Sequence, residues 1–194
     1  IGPAVPLPEQ ASVVVSYAGQ IVPILELGPD GRPAAAPLAQ GSFFAVSSAG
    51  RVAAIGPDAL LHVDGQALHV APDTGWGLAQ DLAWGDLAWS PDGRWLAFRV
   101  DPADPATYPA AGFNEPTGVW IYDAQGATSW HVFRNGYAGQ VAQLHEQRRA
   151  VGMRWSPNSD ALIVTVETPL GRGSVPIAVG HDVNQFVDAL PYAD

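Results

Sequence analysis

Apolar residues along this chain recur in short runs of period two, broken by turns rich in Gly, Pro, Asp and Ser, and one such unit returns. Residues 87–100 read LAWSPDGRWLAFRV and residues 154–166 read RWSPNSDALIVTV, so that Trp89, Ser90, Pro91 and Leu96 are matched by Trp155, Ser156, Pro157 and Leu162 without a gap. Each copy predicts a strand, a tight turn and a return strand. Before the first turn Leu87 and Trp89 alternate with Ala88; after it Trp95, Ala97 and Arg99 share one face while Leu96, Phe98 and Val100 share the other. A strand apolar on both faces belongs between layers. The turn itself is prescribed locally: Pro91 presets its φ, Asp92 can bond the backbone ahead, and Gly93 accepts a positive φ. In the later copy Asn158 and Ser159 take the places of Asp and Gly.

A fainter copy, residues 44–55 (FAVSSAGRVAAI), sets Ser47, Gly50 and Arg51 beneath Ser90, Gly93 and Arg94, 43 positions earlier. That interval is the period of a four-stranded propeller blade, roughly 40 to 45 residues. A second β-rich element follows each motif, LLHVDGQ at 60–66 and VWIYDAQG at 119–126, and aligns Asp64 with Asp123. Its longer spacing places an insert of about 16 residues between Arg99 and Gly118. With prolines at 102, 105, 109 and 116 the insert lacks the donors of a ladder, so residues Asp101 to Thr117 read as a surface loop without strand pairing along most of its length. Residues 11–27 also read as β, followed by a GPDG turn at 28–31 and a short return strand. Residues 137–149 (YAGQVAQLHEQRR) carry Val141, Leu144 and Arg148 on one helical face; they predict either a helix ending in arginines or an irregular linker between blades.

The fold class this predicts is all-β: a β-propeller of about four blades, or a partial propeller arc of four-stranded antiparallel blades. Residues 1–10, with three prolines, are an extended lead-in, and residues 11–194 form the propeller, with approximate blades at 11–42, 43–80, 81–135 and 136–194. The units at 89–98 and 155–164 resemble the WD40-like repeat of TolB-type β-propellers, whose blades carry W-S-P-D-G-x-x-[IL]-[AV]-[FVY]. The same signature occurs in the N-terminal propellers of prolyl-oligopeptidase-type hydrolases and in propeller-bearing surface lipoproteins, so it specifies fold more than function. Rings of that kind usually have six to eight blades. The resemblance therefore implies that this chain is a piece of a longer product or is completed by another molecule, because uncovered end blades would expose larger apolar faces than soluble monomers tolerate.

Composition narrows the partners. All nine basic residues are arginine against 19 acids, a formal charge of −10, which disfavours nucleic acid. There is no cysteine, which removes disulfides, thiolate catalysis and zinc–thiolate sites. No apolar run approaches the roughly 18 residues of a membrane span, so membrane association would need an anchor outside this chain.

Chemistry is sparse. No G-x-S-x-G, H-E-x-x-H, Walker or G-x-G-x-x-G pattern is present, and the chain predicts neither a catalytic residue nor a cofactor. His62 and His69 flank the Asp64-Gly65 turn on opposite faces, a poor ligand pair; His131, His145 and His181 are isolated and read as structural. No metal-ligand spacing appears. The weak calcium candidates are Asp101, Asp104 and Glu115, three oxygen donors on the insert whose spacing fits no EF-hand. For partner binding the candidates are Tyr108, Phe113 and Glu115 on the proline-stiffened insert, and Trp76 and Trp84 in the Gly-rich passage between blades. Trp89, Trp95, Trp120, Trp130 and Trp155 read as packing residues.

Two functions stay open at this level. One is a non-catalytic propeller, extracytoplasmic by its resemblance to TolB-type proteins, that binds other protein subunits in an envelope assembly. The other is the regulatory propeller of a prolyl-oligopeptidase-type hydrolase whose catalytic domain lies elsewhere.

Overall fold

The computed structural model describes residues 14–23, 37–41, 43–68, 82–102, 117–136 and 147–179. Fourteen strands and no helix occur among the described residues, and every strand pair is antiparallel. No helix there is long and apolar enough to cross a membrane, which says nothing of a β-barrel. The protein is all-β and its sheets are propeller-type blades, grouped in two compact units, Ile1–His69 and Val70–Asp194.

In the first unit β1 (Val14–Tyr17), β2 (Gln20–Pro23) and β3 (Ala39–Gln40) form one sheet in that order, and β4 (Phe43–Val46), β5 (Val52–Ile55), β6 (Leu61–Val63) and β7 (Gln66–Ala67) form a second meander. The β1–β2 turn consists of Ala18 and Gly19 at φ 49° and 75°, the left-handed pair that matches strand twist in a two-residue hairpin. Ile21, Leu38, Val52 and Ala54 bury one sheet against the other.

In the second unit β8 (Leu82–Trp89), β9 (Trp95–Pro102), β10 (Gly118–Asp123) and β11 (Thr128–Arg134) form a four-stranded meander. It packs on a three-stranded sheet of β12 (Arg149–Trp155), β13 (Ala161–Thr168) and β14 (Gly171–Ala178). Trp95, Ala97, Val119, Ile121 and Val132 on the first sheet meet Ala150, Leu162, Val164, Val166 and Ile177 on the second. The strand β14 contains Pro176, paired with Ile163. Among the described residues β14 is the outer strand of this sheet, and a proline, with no N–H for a ladder, offers no donor there.

The two clear repeats agree to the level of single hydrogen bonds. Trp89 pairs with Leu96 and Trp155 with Leu162. Ser90 Oγ accepts from Trp95 N–H at 2.9 Å and Ser156 Oγ from Ala161 N–H at 3.1 Å. The faint copy follows them through Gly50 N–H to Ser47 O at 3.0 Å and then departs: Val46 pairs with Val52, so its turn is one residue shorter.

Ser159 occupies the slot of Gly93 in the left-handed region, φ 62° against 70°. A non-glycine residue is strained there, and the compensation is visible: Asp92 N–H donates to Ser159 Oγ at 3.0 Å, joining the two sheets turn to turn. Trp155 Nε1–H donates to Ala88 O at 2.9 Å and repeats the tie one strand away. Ser159→Ala keeps the strain and loses the bond, so it should destabilise by about 1 kcal/mol. Ser159→Gly loses the same bond but relieves the strain, and should be close to neutral. Urea unfolding of the two variants would check the ordering.

Several sequence expectations change. The strand β9 runs through Asp101 and Pro102, which pair with Ala83 and Leu82, so the ladder takes in the first two residues of the insert, while 103–116 lie outside the described residues. Trp89 and Trp155 are equivalent but half-buried rather than buried, because the Trp155 N–H has to reach the rim of the neighbouring sheet. Trp130 does not pack away: it lies on the edge strand β11, 42% exposed, tilted against Trp95 at 6.0 Å. The predicted helix lies outside the described residues over 137–146. Its arginine end is strand, with Arg148 bridged to Gly136 and Arg149 opening β12.

Candidate functional site

In the second unit the short turns after β8, β10 and β12 close one end of the two sheets. The stretches 103–116 and 137–146, the lead into β8 and the tight β13–β14 turn all attach at the other end, while β14 ends at the first. At that loop end β9 carries Arg99 on the same face as Trp95 and Ala97, an arginine where the pattern calls for a core residue. Its guanidinium is taken by Asp86 on β8 at 3.3 Å, by Asp101 two residues along, and by the Ala150 carbonyl of β12 at 3.4 Å. Gly85 leaves the room, since a Cβ there would stand 2.7 Å from the Arg99 Cζ. Burial pushes the Asp101 carboxyl up, against the pull of Arg99 and then Arg149. The Asp101 carboxylate is thus incompletely compensated, and its Oδ1 is buried without a hydrogen-bond partner, as is Thr117 Oγ1.

The far root of the 103–116 stretch is fixed from β11. His131 Nε2 meets the Thr117 carbonyl at 3.1 Å and Asn135 N–H donates to the same oxygen at 3.2 Å. Asn135 Oδ1 in turn accepts Ala150 N–H at 2.9 Å and binds one sheet to the next. The His131 ring lies on Trp120 with centroids 4.4 Å apart, Trp120 stacks on Phe98, and Phe98 meets Trp84 at a tilt, an aromatic row that crosses all four strands on the face opposite Arg99. Burial first, and the charge of Arg134 second, lower the His131 pKa to about 4. The folded protein thus holds His131 neutral while the unfolded chain takes up a proton near its ordinary value of about 6.5. Stability linked to His131 is full above that value and drains as pH falls from about 6.5 toward 4. His131→Gln should flatten that part of a stability-versus-pH curve measured by urea unfolding.

On the second sheet Arg149 of β12 and Arg172 of β14 reach the Glu167 carboxylate of β13 from two sides, Arg149 at 3.1 Å and Arg172 at 3.0 Å. The Arg172 hydrogen bond is the main cause holding the Glu167 carboxyl below its ordinary range. Arg148 lies 5.3 Å from the Phe133 ring centroid and donates to the Arg134 carbonyl at 3.3 Å.

Of the residues picked from sequence, Trp84 stands in the aromatic row and Asp101 in the Arg99 cluster. Tyr108, Phe113, Glu115, Asp104 and Trp76 lie outside the described residues, as do His69, His145 and His181. Among the described residues no three His, Cys, Asp or Glu side chains gather as a metal site. Sequence reading missed Asp86, Thr117, Asn135 and the arginine grouping. The one available signal was the charged Arg99 in an otherwise apolar alternation.

In the first unit His62 reaches the Asp58 carboxylate at 2.9 Å, and Arg51 pairs with Asp64 at 2.8 Å. The second pair has its counterpart in Arg94 and Asp123 at 3.0 Å. The alignments of Arg51 with Arg94 and of Asp64 with Asp123 thus mark one turn-to-turn ion pair used twice.

No family model matches the chain, and no curated protein does. A solved structure from Bacteroides ovatus, described as a dipeptidyl aminopeptidase IV, is similar at a TM-score of 0.44 and 15% identity over 82% of this chain. The chain spans 25% of that structure's length.

Proposed function

We propose that this chain is a non-catalytic propeller module that binds another protein through the loop end of its second unit, as part of an extracytoplasmic assembly of the kind TolB-type propellers serve. The observation that carries the reading is the asymmetry of the two ends. Tight turns tied by Ser90, Ser156 and Ser159 close one end. At the other, Arg99, His131 and Asn135 brace the roots of long connections, and a rigid scaffold under variable loops is the usual layout of a recognition surface. The insert brings Tyr108 and Phe113 as anchors. The partner is another subunit or the further blades of a longer chain. A propeller serving a prolyl-oligopeptidase-type hydrolase is the second reading, supported by the same Trp89 to Phe98 signature.

Replacing 103–116 by a short glycine turn tests the first reading. The β circular dichroism and unfolding midpoint should hold while a partner captured by the intact chain is lost. Retention of the partner by the shortened chain, or collapse of its fold, would overturn the proposal.

A further inference from the structure

The chain has four asparagines, Asn114, Asn135, Asn158 and Asn184, and Asn135 alone precedes a glycine. An asparagine carboxamide is open to attack by the backbone nitrogen of the next residue, and glycine, lacking a Cβ, leaves that nitrogen the least hindered. The fold engages both reacting groups. Gly136 is buried; it donates its N–H to the Arg148 carbonyl at 2.8 Å and accepts Arg148 N–H at 2.9 Å, an isolated antiparallel bridge between the end of β11 and the start of β12. The Asn135 carboxamide is pinned from the same side, its Oδ1 accepting Ala150 N–H at 2.9 Å. Asn135 N–H is held in turn by the Thr117 carbonyl at 3.2 Å. The nitrogen that must lose its proton is thus the one bonded to Arg148 O, and the carbonyl it must reach is tied to β12.

We propose that Asn135 is a deamidation site whose reaction is gated by opening of the junction between β11 and β12. When the Gly136–Arg148 bridge and the Ala150 bond part, Gly136 N attacks Asn135 Cγ. The N–Cγ bond forms, the Cγ–Nδ2 bond breaks, and ammonia leaves with the proton from Gly136 N. Water then opens the five-membered succinimide at one of its two carbonyl carbons. Addition at Cγ breaks the new bond and gives aspartate in an ordinary backbone. Addition at the backbone carbonyl carbon of residue 135 breaks its bond to Gly136, so that the chain runs on through the former side chain as isoaspartate. That product carries one more methylene in its backbone, so the bridge to Arg148 cannot re-form in register and a junction opened this way stays open. The reaction consumes only water and stands independently of the protein-binding reading.

Peptide mass mapping of the full chain, held at mildly alkaline pH either natively or in guanidinium chloride above its unfolding transition, tests the gate. In the unfolded chain the mass gain of deamidation should accumulate at Asn135 ahead of the other three asparagines. In the native chain it should be slower by about 10-fold or more, since each opening must break at least one net hydrogen bond. Ala150→Pro removes the donor to Asn135 Oδ1 while keeping the carbonyl that Arg99 uses, and should speed native conversion several-fold with the β circular dichroism unchanged. Should that variant not fold, the parent chain in guanidinium chloride below the transition replaces it: deamidation at Asn135 and hydrogen exchange at the Gly136 amide should quicken together. Equal rates in the native and unfolded chains would overturn the proposal, as would earlier conversion of another asparagine in the unfolded chain. A folded Ala150→Pro that converts no faster than the parent, or Gly136 exchange that quickens without deamidation, would overturn it too.

Discussion

Arg99→Met is expected to cost about 2 to 4 kcal/mol of stability, far more than an ordinary surface arginine, because it strands Asp101 rather than merely removing a charge. Breaking a buried pair by deleting one partner costs about 3 to 5 kcal/mol in well-buried cases. Here the side chains retain 16% and 22% exposure, which moderates the figure. The Asp101 carboxyl is already pushed up by burial with Arg99 in place, and removal of the guanidinium takes away the main charge that opposes this and should push it up further. A second consequence sits across the interface: the Ala150 carbonyl loses its donor from Arg99. The double variant Arg99→Met, Asp101→Asn removes the stranded charge and should recover a large part of the loss. Arg94→Met is the control, since its partnership with Asp123 involves a 41% exposed side chain and should cost far less than Arg99→Met. Urea unfolding midpoints, with the slope unchanged between variants, would measure all three. A loss at Arg99 no greater than at Arg94 would show that the cluster does not hold the sheets together.

Why this cluster escaped the sequence while the blades did not is a matter of range. The turn at Ser90 is written within six residues, and its repeat at Ser156 is read by eye because the same short-range bonds recur. Strand alternation in β9 likewise needs only its neighbours, and Trp95, Ala97 and Arg99 do share a face. Contacts between sheets have no such local record. Nothing near Ser159 in sequence announces Asp92, 67 positions away, and nothing near Asn135 announces that its amide will meet Ala150. Arg99 was legible as an anomaly, a charge in an apolar register, yet its partners Asp86 and Ala150 come from different strands. Trp130 misled for the opposite reason: its alternation was right, but an edge strand leaves part of a correctly oriented face open to solvent. The insert was legible by length and proline content alone, and β9 still extends two residues into it, because a proline at a strand's last position sacrifices only one donor.

Gly118→Ala should be the most damaging single methyl group in the second unit, with an expected loss of about 3 kcal/mol or more. Gly118 opens β10 directly after the 103–116 stretch and pairs on both sides, with Val100 and with Arg134. Its φ is +130°, a region that side chains rarely adopt, and this alone costs on the order of 1 to 3 kcal/mol. The added Cβ would also lie 1.9 Å from the Phe133 carbonyl oxygen and 2.9 Å from His131 Nε2. Neither can yield cheaply: Phe133 is buried backbone within the pairing of β10 with β11, and His131 is held between Trp120 and the Thr117 carbonyl. The bulge between Val119 and Trp120 absorbs the local irregularity already, so a further shift must open the ladder. Gly171→Ala separates the two contributions, since Gly171 has φ +142° but nothing within 4 Å of an added Cβ. That variant should show the conformational cost alone, about 1 to 2 kcal/mol. By thermal unfolding the two should differ by several degrees, at roughly 2 to 4 °C per kcal/mol for a chain of this size. Equal midpoints would mean that the close approach of β11 to Gly118 is not a constraint on the mouth of the insert, and that His131 and Phe133 are free to move aside.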